Sequence, residues 1–179
     1  MTKNRIFLLS IVFLFLILAS CRSDKKYSTG EFDALKRTLE IGSWQFSLNI
    51  ENQNKTKGNS HASSGMYYLK ATLYISNIKT KKSLLYAISK NIEDYEAKYK
   101  YLSFHGQDDL YIKWNDIHIY PIGYVFEPSN GLARSEKLVY KFQVGEDDYN
   151  RMIQDSKNVE YWYTDRMIGL GKICFKSQQ

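Results

Sequence analysis

Apolar side chains recur at every second position along most of the chain. Trp44, Phe46, Leu48 and Ile50 alternate with Gln45, Ser47, Asn49 and Glu51, and Tyr67, Leu69, Ala71, Leu73 and Ile75 alternate with Tyr68, Lys70, Thr72, Tyr74 and Ser76. Successive side chains of a strand point to opposite faces, so each segment is predicted to bury one face and wet the other. The same period returns in Leu138, Tyr140, Phe142 and Val144, and in Val159, Tyr161 and Tyr163. Leu84 to Ile88, the aromatic stretch Tyr95 to Phe104, and Ile168 to Phe175 also read as extended. The clearest hairpin is Leu110, Ile112 and Trp114, a turn at Asn115-Asp116, then Ile117 and Ile119. Asn and Asp tolerate the positive φ that tight hairpin turns need. Pro121 removes one ladder donor, so the second arm lies at an edge or ends there.

Helical spacing is rarer. Ser28-Thr29-Gly30-Glu31 fits a capping box, followed by Phe32, Leu35 and Leu39, although Arg37 to Ile41 reads equally well as the start of a strand. Tyr149, Met152 and Ile153 follow the acidic Glu146-Asp147-Asp148, which predicts one or two helical turns over Glu146 to Asp155. Polar, glycine-bearing stretches mark loops at Asn52 to Gly65, Lys79 to Lys82 and Pro128 to Gly131. Seven to nine short strands at close spacing, with one or two short helices, predict a mostly β chain forming a single antiparallel β-sandwich. In strand order and size this resembles the immunoglobulin-like domains of bacterial lipoproteins. The Cys–Trp–Cys signature of true immunoglobulin domains is absent, so the resemblance implies architecture and no activity.

The N-terminus carries a different signal. Lys3 and Arg5 precede Ile6 to Ala19, an apolar run interrupted only by Ser10. That run is about 14 residues, shorter than the roughly 20 a spanning helix needs, and suits the core of an export signal. It ends in Leu18-Ala19-Ser20-Cys21, which resembles the lipobox of bacterial lipoproteins. The resemblance implies removal of residues 1–20 as a signal peptide, a diacylglycerol thioether on Cys21 and N-acylation of the new amine. It also implies attachment to a membrane through these chains, two or more of which anchor stably where one is marginal. Residues 21–30 then form the lipidated cysteine and a polar tether, and 31–179 the β-sandwich domain, a mature chain of about 160 residues that suits one domain. Arg22 stands where an aspartate favours inner-membrane retention in many Gram-negative cells, so an outer-membrane location in the cell envelope is expected over the inner membrane.

Composition removes several function classes. The formal net charge is +6, two units of which leave with Lys3 and Arg5, and the remaining lysines are dispersed. A nucleic-acid partner is not expected, because it needs a concentrated basic stripe. With Cys21 assigned to lipid, Cys174 has no partner for a disulfide, and its strand-like surroundings predict an inert thiol. His61, His105 and His118 lack zinc-ligand spacing, so no metal and no cofactor beyond the lipid is expected. There is no Gly-x-Ser-x-Gly elbow and no phosphate-cradling glycine loop. Asp108-Asp109 and Glu146-Asp147-Asp148 are adjacent acids, which usually point apart into solvent. No catalytic residue is assigned.

Aromatic content is the unusual feature, with 15 tyrosines and three tryptophans. Rings fall on both faces of several strands, which predicts that some are exposed. Trp114, Tyr120, Tyr161, Trp162 and Tyr163 are the candidate binding aromatics, suited to protein interfaces or flat sugar surfaces. The expectation is a non-catalytic binding or assembly module of the envelope with a protein partner. A carbohydrate-binding module is the alternative, and a small envelope hydrolase the third. The observation that separates them is whether the exposed rings gather or disperse.

Overall fold

In the computed structural model, which describes residues 34–56 and 65–176, the two-residue alternation becomes nine strands among the described residues. They are β1 Lys36–Ile41, β2 Trp44–Asn52, β3 Met66–Asn77, β4 Leu110–Trp114, β5 Ile117–Ile119, β6 Gly123–Glu127, β7 Glu136–Gly145, β8 Val159–Asp165 and β9 Gly171–Lys176. One sheet has the order β1-β2-β3-β7-β6 and the other β5-β4-β8-β9, and every pairing is antiparallel. The fold is mostly β, an antiparallel sandwich. Taking β2, β3, β7 and β6 as A, B, E and D, and β4, β8 and β9 as C, F and G, the pairing order is that of an immunoglobulin-type Greek key. β5 adds a strand beside C, and β1 a strand outside A.

The helical segments are α1 Gln53–Thr56, α2 Leu84–Ile88, α3 Ile92–Phe104 and α4 Glu146–Gln154, with 3-10 turns at Gly106–Asp109 and Ser156–Asn158. Three of these correct the sequence reading: α1 puts one helical turn at the start of the stretch read as a loop over Asn52 to Gly65. α2 and α3 occupy the crossover from β3 to β4, where Leu84 to Ile88 and Tyr95 to Phe104 read as extended. Asn91 caps α3 by accepting a hydrogen bond from the Asp94 amide at 2.8 Å, Glu93 and Asp94 occupy its first turn, and Lys98 pairs with Asp94 one turn on. These local terms favour a helix. The strand β1 replaces the helical alternative over Leu35 and Leu39, and the proposed cap at Ser28–Glu31 lies outside the described residues. β6 was given no element by the sequence pattern. The last strand begins at Gly171 rather than Ile168, because Asp165 folds the preceding residues into a turn. Its carboxylate accepts from the amides of Met167 at 3.0 Å and Leu170 at 2.8 Å.

The register explains the core. Leu48 opposes Leu73, which opposes Leu138, so three strands present leucine at one level of the inner face. From the other sheet, Leu110, Ile112, Tyr161, Tyr163 and Phe175 face inward, and the two inner faces make one cluster. Phe46 and Tyr163 meet across the sheets with ring centroids 6.2 Å apart. Each such apolar side chain contributes roughly 1.5–3 kcal/mol when fully buried. At the lateral edge, Arg37 Nε donates to the Lys176 carbonyl at 3.0 Å, bringing the start of β1 beside the end of β9.

Candidate functional site

The outer face of the β5-β4-β8-β9 sheet carries the candidate site. Tyr111 and Lys113 of β4, Glu160 and Trp162 of β8, and Cys174 and Lys176 of β9 have the outward parity, since Leu110, Ile112, Tyr161, Tyr163, Ile173 and Phe175 are buried. The register sets Tyr111 opposite Trp162, and Trp162 opposite Cys174. Beyond Tyr111, the rings of His118 and Tyr120 complete a cluster. The centroids are 5.1 Å apart for Tyr111–His118, 5.8 Å for Tyr111–Tyr120 and 6.4 Å for His118–Tyr120. Tyr120 is 55 % exposed.

The rings are not coplanar. Interplanar angles are 64°, 37° and 81° in the same order, so the surface is faceted rather than flat. Trp162 is held by neighbours on the same face: its Nε1–H donates to Glu160 Oε2 at 2.8 Å, and Glu160 Oε1 pairs with Lys176 Nζ at 2.7 Å. The Lys176 hydrogen bond holds the Glu160 carboxyl below its ordinary range, against the opposing effect of burial and with the help of Trp162. A ring fixed in this way loses little freedom when a partner covers it.

Of the sequence candidates, the structure brings Tyr120 and Trp162 to this face. It places Trp114, Tyr161 and Tyr163 in the core, which removes them as surface aromatics. The parity of β8 was readable: Glu160 and Thr164 are the polar alternates, and Trp162 shares their face. Trp114 likewise shares parity with Leu110 and Ile112. Its indole N–H donates to Asp155 Oδ2 at 3.1 Å. Tyr111 and His118 belong to the cluster and stood outside the candidate set.

The remaining chemistry-bearing groups have structural surroundings. Cys174 is half-buried on the outer face, and burial, then the nearby Glu160 charge, pushes its thiol up to about 11. A thiol so raised carries little of the thiolate that nucleophilic attack needs. Asp108 is exposed while Asp109 is buried, so only one of these adjacent acids points into solvent, which corrects the expectation for Asp109. Asp109 accepts from Tyr101 Oη at 2.9 Å and from Arg166 Nε at 3.0 Å. Burial raises the Asp109 carboxyl while those two donors oppose the rise. Burial, then the Asp109 hydrogen bond, pushes the Tyr101 phenol up to about 12. Asp148 of the acidic cluster pairs with Arg151 at 2.6 Å within α4. His105 caps the end of α3, and His61 lies outside the described residues. Among the described residues, no group of three His, Cys, Asp or Glu side chains is placed to hold a metal ion, and no helix is long and apolar enough to cross a membrane.

Comparison with known protein families, with curated proteins and with solved structures finds no match.

Proposed function

We propose that the chain is a membrane-anchored lipoprotein acting as a non-catalytic binding or assembly module of the bacterial cell envelope. In this reading, lipid on Cys21 tethers the sandwich to a membrane, the outer membrane where the cell has one. The domain takes a protein partner on the outer face of the β5-β4-β8-β9 sheet. The observation that carries the binding role is the tilted cluster of Tyr111, His118 and Tyr120 beside the pinned Trp162. Tyrosine and tryptophan supply large, stiff contact area with a polar tip, and they dominate interface energetics. Facets at these angles suit interdigitating side chains. A flat sugar platform asks for rings laid parallel to one plane, which is why a protein partner is preferred to a glycan on this face.

The test has two arms. Radiolabelled palmitate is expected to enter the wild-type chain and not Cys21→Ser. Affinity capture from native membranes is expected to recover a stoichiometric protein partner, lost from a Tyr111→Ala, Tyr120→Ala and Trp162→Ala triple variant that retains its melting temperature. Each ring should weaken the complex by about 1–2 kcal/mol or more. A partner held equally well by the triple variant, or retention of glycan in its place, would overturn the assignment of this face.

A further inference from the structure

The opposite sheet carries a cleft that the aromatic face does not involve. It lies on the outer side of β2 and β3, at the end where β2 begins, β3 ends and β7 begins, with a volume of about 330 Å³. That is the small end of the range for small-molecule sites, suited to a single sugar-sized unit rather than a macromolecular surface.

Two cations converge on it from separate loops. Lys81 comes from the turn after β3, and Arg134 from the segment before β7. No carboxylate lines the cleft. Of the acids on neighbouring strands, Glu127 pairs with Lys137 at 2.7 Å, and Glu40 lies outside the lining, its Oε1 accepting from the lining residue Gln45 at 3.2 Å. Among the described residues, neither Lys81 nor Arg134 has an ion-pair partner. Two unneutralised cations around one hollow favour an anionic group, and a guanidinium matches the two oxygens of a carboxylate or phosphate.

The uncharged lining differs in character from the two cations. The half-buried Tyr74 lines the cleft beside Ser76, Ser135 and Ser47, the last of which shares a 2.7 Å hydroxyl hydrogen bond with Thr38. A ring beside several short hydroxyls suits a polyol body with one apolar face. The turn that presents Lys81 is set before any ligand arrives. Asn77 Oδ1 accepts from the amides of Lys79 at 3.1 Å and Thr80 at 2.8 Å, and the Lys81 amide donates to the Asn77 carbonyl at 2.9 Å. Lys81 itself is held at φ 58°, a region that costs a lysine free energy and that the turn imposes.

We infer that this cleft binds an acidic saccharide unit, its carboxylate or phosphate held between Lys81 and Arg134 and its ring against Tyr74. The site is open and small, so affinity is expected on the order of 1 mM for a single unit. The inference is independent of the partner assigned to the aromatic face.

The experiment titrates the full chain in detergent with glucuronate, glucose 6-phosphate, glucose and inorganic phosphate, followed by NMR at Tyr74 and Ser76. A parallel titration uses phosphatidylglycerol vesicles. Saturable shifts are expected with one or both acidic sugars, at least about tenfold weaker with glucose. Arg134→Gln and Lys81→Gln should each weaken acidic-sugar binding about tenfold, with partial recovery in Arg134→Lys. Both positions are exposed, and an unchanged melting temperature confirms that each variant folds. Four outcomes overturn the inference. These are no saturable binding of either acidic sugar, glucose binding as tightly as they do, inorganic phosphate binding as tightly as glucose 6-phosphate with Tyr74→Ala silent, or vesicle binding in place of sugar binding.

Discussion

At the scale of single residues, the polar groups inside the sandwich divide into satisfied and unsatisfied. Glu136 is fully buried, yet it accepts from the Ser129 amide at 2.6 Å and the Ser129 hydroxyl at 3.0 Å. Tyr140 and Tyr163 are also fully buried, and neither phenol oxygen has a hydrogen-bond partner among the described residues. A buried hydroxyl without a partner keeps its desolvation cost, so Tyr140→Phe is expected to be neutral or to stabilise by up to about 1 kcal/mol in urea denaturation. Glu160 gives a pH signature. Its folded-state pKa lies below the ordinary 4.5, so its contribution is fully present above that value and is lost as pH falls through the folded pKa. The difference in melting temperature between wild type and Glu160→Gln should therefore be constant above pH 4.5 and close below it. Wild-type Trp162 fluorescence should change over the same acid window as its hydrogen-bond acceptor is protonated.

At the scale of elements, legibility followed the strength of local periodicity. The β4–β5 hairpin was readable because strict alternation flanks Asn115, which takes φ 53° in the turn, and β5 is the sheet edge that Pro121 indicated. The helix α3 was misread because Tyr95, Tyr99, Tyr101 and Phe104 include strand-favouring residues, and the Tyr99–Tyr101 step mimics a period of two. Its true signal was terminal: Asn91 ahead of Glu93 and Asp94. Asn91→Ala is accordingly expected to cost about 1 kcal/mol, with hydrogen exchange in the first turn of α3 accelerating before that in β4. The candidate rings were found by residue type, but their exposure depends on parity. Choosing the inner parity of β8 required weighing Glu160 and Thr164 against Val159, which separates Trp162 from Tyr161 and Tyr163.

At the scale of the molecule, two sheets with one shared core leave two outer faces of different chemistry. One is aromatic and faceted; the other bears a cation-rimmed cleft. The cleft was invisible in sequence because Lys81 and Arg134 are 53 positions apart and meet only through the β3–β7 pairing. The contact of Arg37 with the Lys176 carbonyl fixes a polarity for the whole body. Arg37 stands opposite Leu48, whereas the 79–82 turn and Arg134 lie beyond Trp44, four residues back along β2 or about 13 Å at 3.3 Å per residue. A fluorophore at Lys176 would thus sit next to the start of β1, while one grafted into the 79–82 turn would mark the end of the sheet where β2 begins. Distances from such labels to a dye-bearing bilayer would report which way the sandwich stands.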